Sequence, residues 1–297
     1  MIRPLAIAAA VLASGCASFH AGPLPNPPAD ATFVDVDGIH VRYLDEGQGS
    51  PVVLLHGYSS SLDLWKSTAR ELAKRHRVLA IDLKGFGWTS RPPGDYSPAA
   101  EARLAWGVLD ARGVEQVALV GHSWGASVVM AMVLQHPERV TRVALYSAYV
   151  YDDQVPGFFH WARIGGLGEA LFTLFYRERI EDRIALAYYD DRYVNVEAFD
   201  RVRAELDRPG AVAAALASAR GQRYAAMEKR YHTLKQPFLL VWGHEDRVAP
   251  ITFAYRLLSQ LPHARLVELH HCGHIPMIEA HVRATAALVD FVDEDLR

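Results

Sequence analysis

A serine hydroxyl is a poor nucleophile until a base takes its proton, so a serine that does chemistry needs a histidine and a group to orient it. Ser123 stands in Gly121-His122-Ser123-Trp124-Gly125, after the apolar run Val117–Val120 and before an apolar stretch that reaches Leu134. A strand, then G-x-S-x-G, then a helix is the setting in which a sharp turn drives the serine side chain outward. Gly121 and Gly125 keep that turn free of side chains. The helix N-terminus behind Ser123 favours negative charge developing beside it. The five-residue motif is common by itself; its flanks separate it from a glycine-rich turn with a solvent-facing serine.

The chain carries 14 histidines, so the base must be chosen by position. His274 follows the last strand-like run, Arg265–Leu269, on a loop with Gly273 just before it and Ile275-Pro276 opening a helix. His270 and His271 lie too close to that strand to reach back. H-H-x-x-H is not a standard zinc spacing, and no metal site is expected. For the orienting acid, Glu245 and Asp246 both lie just beyond the run Phe238–Val241, and position by itself leaves the two open. An oxyanion needs two aimed donors. One is the backbone N–H of Trp124; the other is that of Tyr58, in His56-Gly57-Tyr58 after Val52–Leu55. His56 reads as a prop for that loop.

The elements that must hold these residues are legible as patterns. Phe33–Val36 and Ile39–Leu44 alternate about Asp37-Gly38, which predicts a β-hairpin. Val52–Leu55, Val78–Ile81, Val117–Val120, Val143–Tyr146 and Phe238–Val241 are compact apolar runs with helical stretches between most of them. Such alternation predicts a mostly parallel, doubly wound sheet covered on both faces. Between residues 149 and 232 no convincing strand is seen, and residues such as Leu171, Leu174, Phe175 and Ile180 fall at helical spacings. This segment is expected to be a helical cap inserted into a core formed by residues 31–148 and 233–297. Phe158, Phe159, Trp161, Phe172, Phe175, Tyr188 and Tyr189 are expected to form its apolar underside, closing a pocket of limited volume.

With 51% apolar residues, 22% charged and a formal net charge of -3, the chain suits an enzyme with one large core and gives no clustered basic face for nucleic acid. Residues 1–15 read as a secretory signal: Met1-Ile2-Arg3, then the apolar run Leu5–Ala13, then Ser14-Gly15. The run is shorter than the ~20 residues that span a bilayer. Leu12-Ala13-Ser14-Gly15-Cys16 resembles a lipobox of bacterial lipoproteins, with Ala13 where leucine is usual. A lipidated Cys16, followed through residue 30 by a Pro-rich tether, is therefore expected on the bacterial envelope, on the periplasmic side of the outer membrane. A plain cleaved signal is the alternative. Cys272 is the one other cysteine, so no disulfide framework is available.

From about residue 33 onward the sequence resembles the α/β-hydrolase superfamily. The motifs are H-G-x at His56, D-x-x-G-x-G from Asp82, G-H-S-x-G, G-x-x-D-x-x-x-P from Gly243 and G-H-x-x-x-x-E from Gly273. The resemblance implies the α/β-hydrolase fold with its helical cap, and it selects Asp246 over Glu245. It further implies a Ser123–His274–Asp246 triad, no cofactor, and a small ester-like substrate cleaved through an acyl-enzyme. The same triad would also serve carbon-carbon bond hydrolysis or cofactor-free haloperoxidation, and a non-enzymatic binding lipoprotein is a further alternative. Relatives that open epoxides or displace halide use an aspartate nucleophile, so Ser123 argues against both. Two departures stand out: Trp124 directly after the nucleophile, where a smaller residue is common, and Lys84, where Pro or Arg is common.

Overall fold

The computed structural model describes residues 18–296; the signal segment and Cys16 lie outside the described residues. Eight strands form one sheet: β1 (Thr32–Val36), β2 (Ile39–Glu46), β3 (Pro51–Leu55), β4 (Arg77–Ile81), β5 (Val117–His122), β6 (Val140–Tyr146), β7 (Phe238–Gly243) and β8 (Ala264–Leu269). Their order is β1-β2-β4-β3-β5-β6-β7-β8. β1 and β2 are antiparallel across a tight turn in which Asp37 and Gly38 both take positive φ, as an Asp-Gly hairpin requires. β2 meets β4 antiparallel, and every pairing from β4 to β8 is parallel.

The central strands β3 and β5 bury nearly all their residues, which is why they read as unbroken apolar runs. One core cluster joins Val53, Leu55, Leu119 and Leu145 to helices on one face; a second joins Val52, Leu54, Val120 and Tyr146 to helices on the other. The core helices are α1 (Lys66–Leu72), α2 (Pro98–Ala111) and α3 (Trp124–Gln135). Because β3 lies between β4 and β5, the chain turns opposite ways after β3 and after its neighbour β5. A crevice therefore opens beyond the carboxyl ends of these two strands, where open α/β sheets bind ligands.

Between β6 and β7 the described chain is helical: α4 (Gly157–Ala162), α5 (Leu167–Phe175), α6 (Ile180–Ala187), α7 (Val196–Asp207), α8 (Ala211–Gly221) and α9 (Ala225–Glu228). We call this segment the cap. The chain returns to the core through α10 (Thr252–Gln260), α11 (Pro276–Glu279) and α12 (His281–Val292). The Pro-rich stretch does not stand free of the body. His20 and Arg91 exchange two backbone hydrogen bonds of 2.9 and 2.8 Å, Phe19 stacks on Tyr96, and Leu24 is buried.

Candidate active site

Ser123 joins β5 to α3 with φ 52° and ψ -123°, a conformation that costs a non-glycine residue of order 1–3 kcal/mol and is kept only where the surroundings enforce it. Here close packing enforces it. A Cβ on Gly125 would stand 2.2 Å from His56 O, and one on Gly121 would stand 2.7 Å from Gly125 O. The Ser123 N–H donates to Tyr146 O (2.9 Å) and its carbonyl accepts from Tyr149 N–H (3.0 Å). The turn is thus tied to the last residue of β6 and to the loop just after it, and its side chain projects toward His274.

His274 Nε2 lies 2.9 Å from Ser123 Oγ. Its Nδ1 lies 2.9 Å from Asp246 Oδ2 and 3.2 Å from Oδ1. An ionised carboxylate only accepts, so Nδ1 carries the proton and Nε2 turns its lone pair to the hydroxyl. Asp246 Oδ1 also accepts from the N–H groups of Val248 (2.9 Å) and Ala249 (2.8 Å), which fixes the carboxylate plane. All three residues are nearly sealed, at 8% exposure for Ser123, 6% for His274 and 4% for Asp246. Glu245, the other acid the sequence left open, turns away and accepts from Cys272 N–H (3.0 Å).

Two amides complete the constellation. Among the described residues, neither Trp124 N–H nor Tyr58 N–H has a protein acceptor. Gly57, the residue before Tyr58, lies so near the turn that a Cβ there would come 3.0 Å from both Ser123 Cβ and His122 Nδ1. His56 holds this loop: Leu83 N–H donates to its Nε2 (3.0 Å), so its Nδ1–H donates to Gly57 O (2.7 Å). Burial keeps the His56 imidazole below its ordinary pKa, which suits a neutral brace. Asp82 is likewise spent on structure, accepting from Leu62 and Trp88 N–H.

Two residues at the site had no role assigned from sequence. The His122 Nε2–H donates to His274 O (2.9 Å) and so holds the loop of the base. Burial, and next the adjacent His274 ring, push its pKa well down, so it stays neutral. Glu279, last residue of the G-H-x-x-x-x-E motif, accepts from Gly273 N–H (2.7 Å) and from the Tyr189 and Asp190 N–H groups. The motif carried the signal for Glu279, while adjacency to Ser123 was the one hint for His122.

The cap covers the site, but not with the whole aromatic set expected. Phe159 and Phe172 are buried, and Phe159 packs against Tyr58 at 5.6 Å between ring centroids, with Tyr176 on another side of Tyr58 at 6.3 Å. Phe158, Trp161, Phe175 and Tyr189 are exposed instead. Each lies on the far face of its own helix or turn, so the expected underside is corrected to Phe159, Phe172 and Tyr176. Tyr188 is half-buried and stacks on Tyr193. Trp124 is buried beside Phe86 and Tyr58. A cleft of about 510 Å³ lined by Asp35, Trp106, Asp110 and His136 contains no triad residue. His270 and His271 do not join His274. Instead His244, Glu245 and His270 offer ligand atoms within 4.8 Å of one another on the outer side of the acid loop, where His244 already contacts Glu268.

A family model described as the alpha/beta hydrolase fold matches residues 50–281. The chain belongs to that family and is a hydrolase of that fold. It is 31% identical over 281 residues to 2-hydroxymuconate semialdehyde hydrolase of Pseudomonas sp. (strain CF600), covering 91% of this chain and 96% of the relative. It is 29% identical over 266 residues to 2-hydroxy-6-oxo-2,4-heptadienoate hydrolase of Pseudomonas putida, covering 86% and 93%. Among solved structures it is similar to a meta-cleavage product hydrolase from Pseudomonas fluorescens, with a TM-score of 0.76, 27% identity and coverage of 89% and 98%.

Proposed function

We propose that the protein is a serine hydrolase that cleaves carboxylic ester-type bonds of a small, largely apolar substrate. The observation that carries this reading is the unbroken line from Asp246 through His274 to Ser123 Oγ, at 2.9 Å per step, beside two unspent amides. His274 Nε2 takes the hydroxyl proton as Ser123 Oγ bonds to the carbonyl carbon. The carbonyl oxygen becomes an oxyanion between the Tyr58 and Trp124 N–H groups. His274 then gives the proton to the leaving alcohol as the ester bond breaks, and water repeats the cycle on the acyl-enzyme.

The wall above Tyr58 supports a neutral substrate. It is built from the rings of Phe86, Phe159 and Tyr176. Arg183, stacked on Tyr176, already donates to Tyr176 O (2.8 Å). Carbon-carbon bond hydrolysis is the second reading, and the names of the relatives at about 30% identity favour it.

The test compares turnover of a p-nitrophenyl ester series with turnover of 2-hydroxy-6-oxo-2,4-heptadienoate. The proposal expects kcat/KM for the best ester to exceed that for the dienoate by at least ~10²-fold, and the reverse order moves the reaction to carbon-carbon cleavage. Ser123→Ala should remove ~10⁶-fold of kcat and abolish labelling by a fluorophosphonate. An active Ser123→Ala enzyme sinks both readings. We also propose that Cys16 anchors the exported chain to the bacterial envelope through a lipid, on the strength of the sequence before it. An intact mass showing an N-terminus beyond an unmodified Cys16 would refute that.

A further inference from the structure

Among the described residues, half of the exposed large apolar side chains fall within one short stretch of the cap. Phe158 (50% exposed), Trp161 (60%), Ile164 (54%), Leu167 (42%), Leu174 (63%) and Phe175 (61%) lie on α4, α5 and the link between them. The inner faces of the same helices, Phe159, Ala162 and Phe172, are buried, so both helices are apolar on two sides. Such a concentration of exposed apolar side chains on two neighbouring helices points to an interaction site.

The N-terminal arm identifies the occupant. Phe19 stacks on Tyr96. Gly221, at the end of α8, packs so closely on Tyr96 that a Cβ would come 2.7 Å from Tyr96 O. The carbonyl of the next residue, Gln222, accepts from Arg163 (2.6 Å), which lies between Trp161 and Ile164. At the other end, Tyr176, next in the chain to Phe175, shares the lining of a small cavity with Arg91, the backbone partner of His20. The arm is thus joined, through Tyr96, Gly221 and Gln222, to the part of the cap that carries the apolar residues. Three residue steps separate Cys16 from Phe19, and extended chain spans at most ~3.6 Å per residue. A lipid on Cys16 would therefore hold Phe19 within about 11 Å of the bilayer surface, and the part of the cap joined to it through Tyr96 and Gln222 would lie near the membrane.

We propose that the outer face of α4 and α5 rests in the lipid bilayer to which the chain is attached, so that the cap meets its substrate at the membrane surface. The placement takes the Cys16 anchor above as given; insertion of the cap is a separate event and is tested separately. No helix among the described residues is long and apolar enough to cross a membrane, so the contact is interfacial, with rings entering the boundary between headgroups and acyl chains.

Trp161 is the natural probe, since Trp65, Trp106, Trp124 and Trp242 are buried and Trp88 is half-buried beneath Arg208. The full chain is placed on vesicles of phosphatidylethanolamine and phosphatidylglycerol with either plain or brominated acyl chains. The emission difference between the chain and its Trp161→Phe variant isolates Trp161. The expected result is quenching of that component by brominated chains. Combined Phe158→Ser and Phe175→Ser should weaken partitioning of the cap by roughly tenfold per residue and relieve the quench. Neither change should alter turnover of a soluble ester without vesicles. An unquenched Trp161 on vesicle-bound protein overturns the proposal. So does a dimer in solution that the two serine substitutions dissociate, because a second copy then covers the face. Loss of ester turnover in every form, unsubstituted chain included, would instead strike the hydrolase reading. An unmodified Cys16 would remove the anchor and with it this placement of the cap.

Discussion

Asp246→Asn isolates what the carboxylate does for His274, because the site dictates how an asparagine must sit. The Val248 and Ala249 N–H groups both point at Oδ1, 2.9 and 2.8 Å away. An amide has one accepting oxygen, and two buried donors claim it, since leaving them unpaired would cost ~1–3 kcal/mol each. The amide NH₂ then falls in the Oδ2 place, 2.9 Å from His274 Nδ1, and donates to it. Nδ1 becomes the acceptor, so the proton of the neutral ring moves to Nε2. Nε2 faces Ser123 Oγ at 2.9 Å with a hydrogen where a lone pair is needed, and it cannot take the hydroxyl proton. The expected loss in kcat is about 10⁴-fold, or ~5.5 kcal/mol of barrier, with fold and ground-state binding almost unchanged. Steady-state kinetics on a p-nitrophenyl ester, with a thermal melt of each protein, reads all three quantities. An Asp246→Asn enzyme within tenfold of the unsubstituted kcat would refute the tautomer argument. Asp246→Ala is the less clean change, because it strands the Val248 and Ala249 donors and mixes a folding defect into the rate.

Gly57→Ala puts a Cβ 3.0 Å from Ser123 Cβ and His122 Nδ1; the turn must give by a few tenths of an ångström, moving Tyr58 N–H relative to Ser123. The kcat for a nitrophenyl ester should fall toward the ~10²-fold loss of a missing oxyanion donor with KM little changed, and an unaltered kcat would remove Tyr58 N–H from the oxyanion hole. Burial pushes the Glu101 carboxyl up to about 8, against ~4.3 unfolded. The native state then binds more protons between those values, so this group's stabilisation is full below the unfolded pKa and is lost as pH rises through about 8. Glu101→Gln should therefore melt a few degrees above the unsubstituted protein at pH ~9 and level with it at pH ~4; a gap independent of pH would contradict the assignment.

Much of this candidate site was legible because its residues stand at strand ends, where short local patterns announce them. Gly121 and Gly125 mark the turn at Ser123 through a packing demand that glycine alone meets, and Gly273 likewise marks the loop of His274. What could not be read depended on partners distant in the chain. The hydrogen bond from His122 to His274 O spans 152 residues, and nothing local to either histidine announces it. Helical spacing shows that α4 and α5 are apolar, but a helix apolar on both faces does not reveal which rings turn inward. Phe159 faces Tyr58 while Phe158 is exposed, although the two are adjacent. The Pro-rich arm has no periodicity, and its docking depends on Arg91 and Tyr96, about 70 residues further on.

The cap and His274 are joined in a way that constrains how substrate would enter. His274 N–H donates to Ala187 O at the end of α6 (2.7 Å). Glu279, from the core, accepts from Gly273 N–H on one oxygen and from the Tyr189 and Asp190 N–H groups of the cap on the other. A cap that swung open at α6 would have to break the Ala187 bond at the base itself and leave Glu279, which is partly withdrawn from solvent, without two of its three donors. The α6 side is therefore the more firmly tied, and a cap that opens would part from the core more easily at α4 and α5. Their ties to the core near Ser123 run through the Tyr58 ring contacts and the Ser59–Tyr176 hydroxyl pair. Those contacts carry no bond to the triad, so parting them would expose Ser123 while the Asp246–His274 pair kept its geometry.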